Sequence, residues 1–500
     1  PIFDIWCSLR TIMSLMNAAD NQRTVKTGTN APSLQIVAAQ WLHRLAWASF
    51  GAALIILPWR LALWRWSRPF PPIYADFTDI LILPQDVLLL LTVAWWGGML
   101  WLRRKRPFTG PLFLWGPLLG LTLIAWLSLV AAVDRPLALV QALRLTLLLG
   151  VYLFVVNEGK RPFRIAWIFT AQLAVQAGIG LAQYALQHDL GLQWLGERRL
   201  DPLTGDFVWA EGGLRALRAY GLSDHPNILA IGVALSLLIV IAFETIVKNR
   251  FEKETGFLTQ IVIWVVVGLG TAVLLTTFSR PAWIAFALGL TLTIWGRRHL
   301  HSVSSVRSVA KLPIFWFILL GIVAVFSSVQ PYLRLGSTPD LIAARINEIQ
   351  LRQTQKAALN HAANELFLNH AITGTGIGTM PVALQQAQPD FVTDYQPAPV
   401  NVLTIAAEIG LLGALFYGLL LVMPWLMLLM RRRRLAQSKQ AGPLAGMTGV
   451  LLAITILNFS DAYTWFYPAG RLWQWVVWGL WAALYNDCSA EAAVWIQENN

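Results

Sequence analysis

The sequence predicts an all-α fold, a polytopic membrane bundle of about twelve transmembrane helices with one large extracytoplasmic loop that contains an amphipathic helix. Three observations predict it. Of 500 residues, 56% are hydrophobic and only 13% are charged, where a soluble domain carries roughly a quarter charged residues; the mean hydropathy is +0.56. Apolar runs of about 20 residues recur along the chain, each long enough to cross a bilayer, and in hydrocarbon a helix is the economical way to pair every backbone group. Finally, basic clusters occupy alternate connections, the pattern of cytoplasmic loops. The 25 Trp residues suit belts at the two membrane interfaces.

Taken in order, residues 1–44 form a cytoplasmic tail, residues 45–329 a first group of helices, 330–400 the large loop, 401–486 the last helices and 487–500 a cytoplasmic tail. The tail up to Ser33 is mixed and polar, without the basic-then-apolar pattern of a signal peptide, and Met13 or Met16 is a candidate start. Spans are expected near Leu45–Trp64 (with Arg60 snorkelling from one end), Ile82–Leu102, Pro111–Val133, Leu137–Val156 and Phe163–Leu186. After a polar stretch from His188 to Pro226 come spans near Ile228–Ile246, Leu258–Phe278, Pro281–Trp295 and Leu312–Val329. Beyond the large loop lie spans near Val402–Met430, Leu444–Leu457 and Leu472–Tyr485.

The basic clusters at Arg103–Arg106, Lys160–Arg164, Lys248–Lys253, Arg297–Lys311 and Arg431–Arg434 fall on one side if these spans alternate. Both termini are then cytoplasmic. The net charge of +12 is thereby assigned to orientation in the membrane, with membrane lipids and not nucleic acid as the expected partner. Cys7 and Cys488, one near each end, allow no disulfide framework and no Cys-rich metal site. His301, His361 and His370 lack a second ligand at metal-binding spacing, so neither metal nor cofactor is expected.

Several basic residues lie on the outer side, against the charge rule: Arg215 and Arg218 in GGLRALRAYGLSDHPN, Arg280 in TTFSRPAW, and Arg345 and Arg352 at the start of the large loop. A guanidinium matches phosphate geometry through two hydrogen bonds, so several converging at the outer face would hold a lipid diphosphate; the plainer role of each is to pair with a headgroup or a carboxylate. A charge in a turn as tight as that of Arg280 is costly without a partner or a task. His225, Pro226 and Asn227 read as a helix start, with His225 either capping it or donating to a substrate oxygen. The run Gly374, Gly376, Gly378 has no strand before it and reads as a tight turn, not a nucleotide loop. Glu408, inside an apolar helix, is expected to face the protein interior and pair with an arginine, or to touch substrate.

With these stretches set side by side, RAYGLSDHPNILA (Arg218 to Ala230), TFSRPAWIAFALG (Thr277 to Gly289), the pattern from Arg352 to Gly378 and AAEIGLLG (Ala406 to Gly413), the chain resembles the O-antigen ligase and O-antigen polymerase superfamily of bacterial membrane proteins. The resemblance covers most of the chain from the second span onward. It implies a metal-independent glycosyltransferase of the bacterial inner membrane. The expected partners are a polyprenyl-diphosphate-linked glycan donor and a lipid or glycan acceptor. It also implies that Arg218 and Arg280 face the carrier diphosphate, with Arg352 as a third candidate. Relatives usually carry a His-Asn pair just before the tenth span. Here Pro399 and Val400 stand at those positions and Asn401 lies one further on. Neither Pro nor Val accepts a proton, which leaves His370, Asp394 and Glu408 as candidate bases. A polymerase, a lipid-linked glycan transporter and an inactive carrier-binding homologue remain alternatives to a ligase.

Overall fold

The computed structural model describes residues 34–57, 59, 61–159, 161–201, 207–209, 215–251, 256–300, 339–438 and 440–499. Among them the chain is mostly α-helical. In order the helices are α1 (Leu34–Ile55), α2 (Pro84–Leu102), α3 (Leu112–Leu127), α4 (Arg135–Glu158), α5 (Pro162–Leu186), α6 (Pro226–Phe251) and α7 (Gly256–Thr276). There follow α8 (Arg280–Leu300), α9 (Pro339–Asn369), α10 (Met380–Ala387), α11 (Asn401–Leu435), α12 (Ala441–Leu457), α13 (Tyr463–Phe466) and α14 (Pro468–Asn499). Two antiparallel ribbons of three-residue strands sit between helices: β1 (Trp64–Trp66) with β2 (Ile80–Ile82), and β3 (Phe207–Trp209) with β4 (Arg215–Leu217). The ninth expected span, Leu312–Val329, lies outside the described residues, as do the tail up to Ser33, Arg60 and His301.

Among the described residues, six stretches are long and apolar enough to cross a membrane: Pro84–Leu102, Leu112–Val130, Arg135–Glu158, Phe163–Leu186, Pro226–Phe243 and Asn401–Leu435. Gln260–Thr276 and Ala441–Leu457 are apolar but shorter. The protein is a helical membrane protein on this showing. Within it, Pro226–Phe243 is 89% buried against 28% of Pro84–Leu102, because α6 is apolar on every side and takes the middle of the bundle. Where α8 meets α12, Gly449 lets the backbones touch: a Cβ there would lie 2.3 Å from the Gly289 carbonyl oxygen, the small-residue contact by which helices associate in lipid.

Two expectations need correction. The first helix runs over Leu34–Ile55, not Leu45–Trp64. Pro58 follows its end, and a proline disfavours helix in the residue before it; Trp64 is instead in β1. The tryptophans do not all serve as interfacial belts. Trp465, Trp473, Trp475, Trp478 and Trp481 are among the largest fully buried side chains of the molecule, so α14 is the aromatic axis of the bundle. Trp41, Trp101, Trp194 and Trp295 are exposed and fit the belt role.

The molecule has two distinct ends. At one, Asn157 near the end of α4 bonds both backbone groups of Phe108 in the α2–α3 connection (3.0 and 2.8 Å). Phe113 packs on Tyr485 at 5.4 Å, and Tyr485 lies within reach of the Arg431 charge. The exposed clusters Arg103–Arg106 and Arg431–Arg434 are thus gathered there. At the other end the loops are laced together. Arg68 forks onto both oxygens of Asp134 at 2.8 Å, Lys356 donates to the Ser460 carbonyl (3.0 Å), and Tyr74 reaches Asp394 (3.4 Å).

Candidate functional site

At the loop end, the chain from Ala371 to Met380 re-enters the bundle and plugs a break in α11. Gly410 has φ 74° and ψ −173°, a conformation that only glycine adopts readily. The helix is interrupted there, and its freed carbonyls are taken up by the turn: Thr375 N–H donates to Ala407 (2.9 Å), Gly376 N–H to Glu408 (2.8 Å), and Leu411 N–H returns a bond to Ala371 (2.8 Å). The same turn clasps the α3–α4 connection through Val133 N–H to the Thr375 carbonyl (2.9 Å). Glycine is required because a Cβ at Gly374 would lie 2.2 Å from the Glu408 carbonyl oxygen. Broken helices survive at membrane depth only where other groups pair the freed backbone, and here a loop does so.

Glu408 sits beneath this turn, fully buried. Its carboxylate accepts from the Trp465 indole (3.0 Å) and from Met380 N–H (3.4 Å). Arg471, 1% exposed, lies over the Trp465 ring at 4.6 Å. It donates to the Trp465 carbonyl and to Gln141 (2.9 Å). Trp465 is therefore sandwiched between a buried carboxylate and a buried guanidinium. Beside it, Asn401 is fully buried and donates to Asn458 (2.8 Å) and Thr464 (2.5 Å). Glu408 and Asn401 thus hold the fold together at this end, deep in a buried polar network.

The second constellation joins two stretches far apart in sequence. Arg218, 9% exposed, donates from Nε to the Thr277 carbonyl (2.6 Å) and from Nη2 to Asn227 (2.8 Å). Ala219 N–H adds a bond to the Thr276 carbonyl (3.2 Å). Helix α5 positions the loop: Gln183 accepts from Gly221 N–H (2.7 Å) and donates to its carbonyl (2.9 Å), while Gln176 accepts from Leu222 N–H (3.0 Å). The turn that Arg218 grips is strained, with Phe278 at φ 52°, unusual for a bulky residue. Arg280 follows at the first turn of α8, exposed and without an ion-pair partner among the described residues. His225 caps α6, its Nδ1 accepting from Asn227 N–H (3.0 Å); the proton of the neutral ring then sits on Nε2.

Between the β1–β2 ribbon and the starts of α2, α4, α6 and α14 lies an open cleft; the space within it and at its mouth, open solvent included, is about 730 Å³. Its walls include Trp59, Phe77, Gln85, Arg144, Asp224 and Tyr463. Arg144 is braced by Asp86 (2.8 Å) and the Leu81 carbonyl. Burial first, and then the charges of Asp461, Tyr467 and Asp224, push the Tyr463 phenol above its ordinary range. It is a neutral hydrogen-bonding group at any physiological pH.

The other residues singled out by sequence lie apart from this cleft's walls. His370 is exposed just past α9, its Nδ1 3.2 Å from the Leu366 carbonyl. Asp394 is exposed beside Tyr74, whose phenol its charge pushes up. Arg352 is exposed on α9, and Arg215 opens β4. Sequence reasoning passed over Gln85, Arg144, Asp224 and Arg471. Asp224 was within a quoted motif, and Arg471, the basic residue of the last outer loop, was legible as a further exception to the charge rule. No family model and no curated protein matches the chain.

Proposed function

We propose that the protein transfers a glycan from a polyprenyl-diphosphate carrier to a lipid or glycan hydroxyl at the outer face of the bacterial inner membrane. The orientation rests on the charge rule: the end that gathers the arginine clusters faces the cytoplasm, so the loop end faces out. The reading is supported by the resemblance to the O-antigen ligase and polymerase superfamily and by one observation above others, the bond from Arg218 to the Thr277 carbonyl. It ties the two arginine-bearing motifs into one corner. Arg218 seats the turn and Arg280, exposed at its tip, is the guanidinium available to a diphosphate. Breaking the sugar–diphosphate bond builds negative charge on the departing oxygen, and a fixed cation stabilises that charge as it develops. Arg352, exposed on α9, is a third candidate contact.

A transporter is the reading that the break at Gly410 would favour, since interrupted helices line transport sites. Here the Ala407 and Glu408 carbonyls at that break already accept from loop amides, so the chain itself plugs the interruption. A ligase and a polymerase share the chemistry and differ in the acceptor. Purified protein in lipid nanodiscs, given a polyprenyl-diphosphate-linked oligosaccharide with either lipopolysaccharide core or a second lipid-linked oligosaccharide, should extend one of them by mass spectrometry. Arg280→Ala should abolish the product. Full activity in that variant would remove the proposed diphosphate site.

A further inference from the structure

The expected histidine is missing from this chain, and none of its three candidate replacements lines the open cleft. Glu408 is sealed under the glycine turn with its oxygens bonded. His370 and Asp394 are exposed on the segment around α9 and α10 and are not among the cleft's lining residues. The cleft supplies another carboxylate, and it also carries marks of an absent ligand.

Gln85 is 3% exposed and its Oε1 has no hydrogen-bond partner among the described residues. Trp59 Nε1, on the same wall, is buried and likewise unpaired. A buried polar atom without a partner costs free energy, so an acceptor and a donor left open in one cleft call for a ligand that both gives and takes hydrogen bonds. A hydroxyl does so. Phe77 and Phe466, packed edge to face at 5.2 Å, give the same cleft an apolar wall suited to the carbon face of a sugar ring.

Asp224 is placed to serve that hydroxyl. It lines the cleft just ahead of α6, together with Ile228 from the first turn of that helix. Asn227, between them in sequence, bonds Arg218. The start of α6 therefore connects the arginine corner to the cleft.

On the glycan-transfer reading above, we propose that this cleft holds the acceptor sugar, with Gln85 and Trp59 fixing its hydroxyls and Asp224 acting as the general base. The acceptor O–H gives its proton to an Asp224 carboxylate oxygen. The oxygen's electron pair forms the new bond to the donor's anomeric carbon. The bond from that carbon to the diphosphate breaks, and its electron pair leaves on the diphosphate oxygen.

The test uses the full chain in nanodiscs with a polyprenyl-diphosphate-linked oligosaccharide as donor and the two acceptors named above. Asp224→Asn should lower kcat by about 100-fold or more while binding the donor within twofold of wild type, and Asp224→Glu should recover part of the rate. Gln85→Leu should raise the acceptor KM and leave kcat largely intact. Turnover by Asp224→Asn within twofold of wild type overturns the inference. So does a parallel loss of donor binding, which marks a structural role. Wild-type protein that transfers to neither acceptor overturns the transferase reading itself, and this inference with it.

Discussion

Arg471 and Arg218 are seated in the same manner and have opposite surroundings. Each donates from Nε to a backbone carbonyl at a helix junction and from the guanidinium fork to a side-chain amide, Gln141 in one case and Asn227 in the other. Arg471 shares its burial with a carboxylate, Glu408, across the Trp465 ring. Arg218 instead fastens a turn whose next charged residue, Arg280, is exposed. The comparison teaches that burial alone does not mark a working arginine. A buried cation beside a buried carboxylate closes a fold, whereas on the proposed reading a buried cation that holds an exposed one at a turn builds an anion site.

The largest effect is expected where the counter-charge is removed. Arg471→Met leaves the buried Trp465 carbonyl and Gln141 amide oxygen without their donor, at about 1–3 kcal/mol each, and takes a favourable charge away from buried Glu408. The double variant Arg471→Met/Glu408→Gln should recover the part of that loss due to Glu408. Thermal unfolding in detergent, followed by light scattering, compares the two; a double variant as unstable as the sum of the singles would show that the groups do not couple. Next comes the break in α11. Gly410→Ala forces a Cβ to 2.4 Å from the Ile372 carbonyl oxygen in a backbone conformation that costs roughly 1–3 kcal/mol for other residues. Proteolysis of the 371–380 turn should accelerate, and unchanged cleavage would show that the plug tolerates a side chain.

Arg280→Ala sharpens the comparison from the other side. An exposed group outside any network should change stability by no more than about 0.5 kcal/mol, so melting should match wild type. A melt that falls as far as that of Arg471→Met would place both arginines in the structural class. The smallest effect is expected in the 189–200 loop. Asp189 lies below the usual carboxylate range because Leu200 N–H, the Gln193 amide and Gly191 N–H donate to it, against a raising effect of burial. A depressed pKa stabilises the loop above the unfolded value and loses that contribution as pH falls through the folded one. Amide exchange at Leu200 should therefore quicken in acid in wild type, relative to its neighbours, and show less of that pH dependence in Asp189→Asn.

The helices were legible in the sequence because lipid imposes one rule on the whole length of a segment. The runs Pro84–Leu102, Arg135–Glu158 and Asn401–Leu435 could hardly be anything else. What escaped depends on tertiary contacts. Strands of three residues, as in β1 and β2, are too short to show a period. Gly410 reads as one more small residue in an apolar helix until the distant 371–380 turn pairs the backbone groups of Ala407, Glu408 and Leu411 around it. The burial of the α14 tryptophans was invisible for a similar reason: an indole looks the same in sequence at an interface and on the axis of a bundle. Glu408 was expected to seek an arginine, but which one depends on the fold bringing residue 471 beside it.

The central claim is that Arg280 meets a diphosphate at the corner Arg218 builds. Nanodisc-embedded protein titrated with a fluorescent polyprenyl diphosphate tests it most directly. The account predicts saturable binding that weakens at least tenfold in Arg280→Ala, while melting is unchanged. Equal affinity in wild type and variant would contradict it.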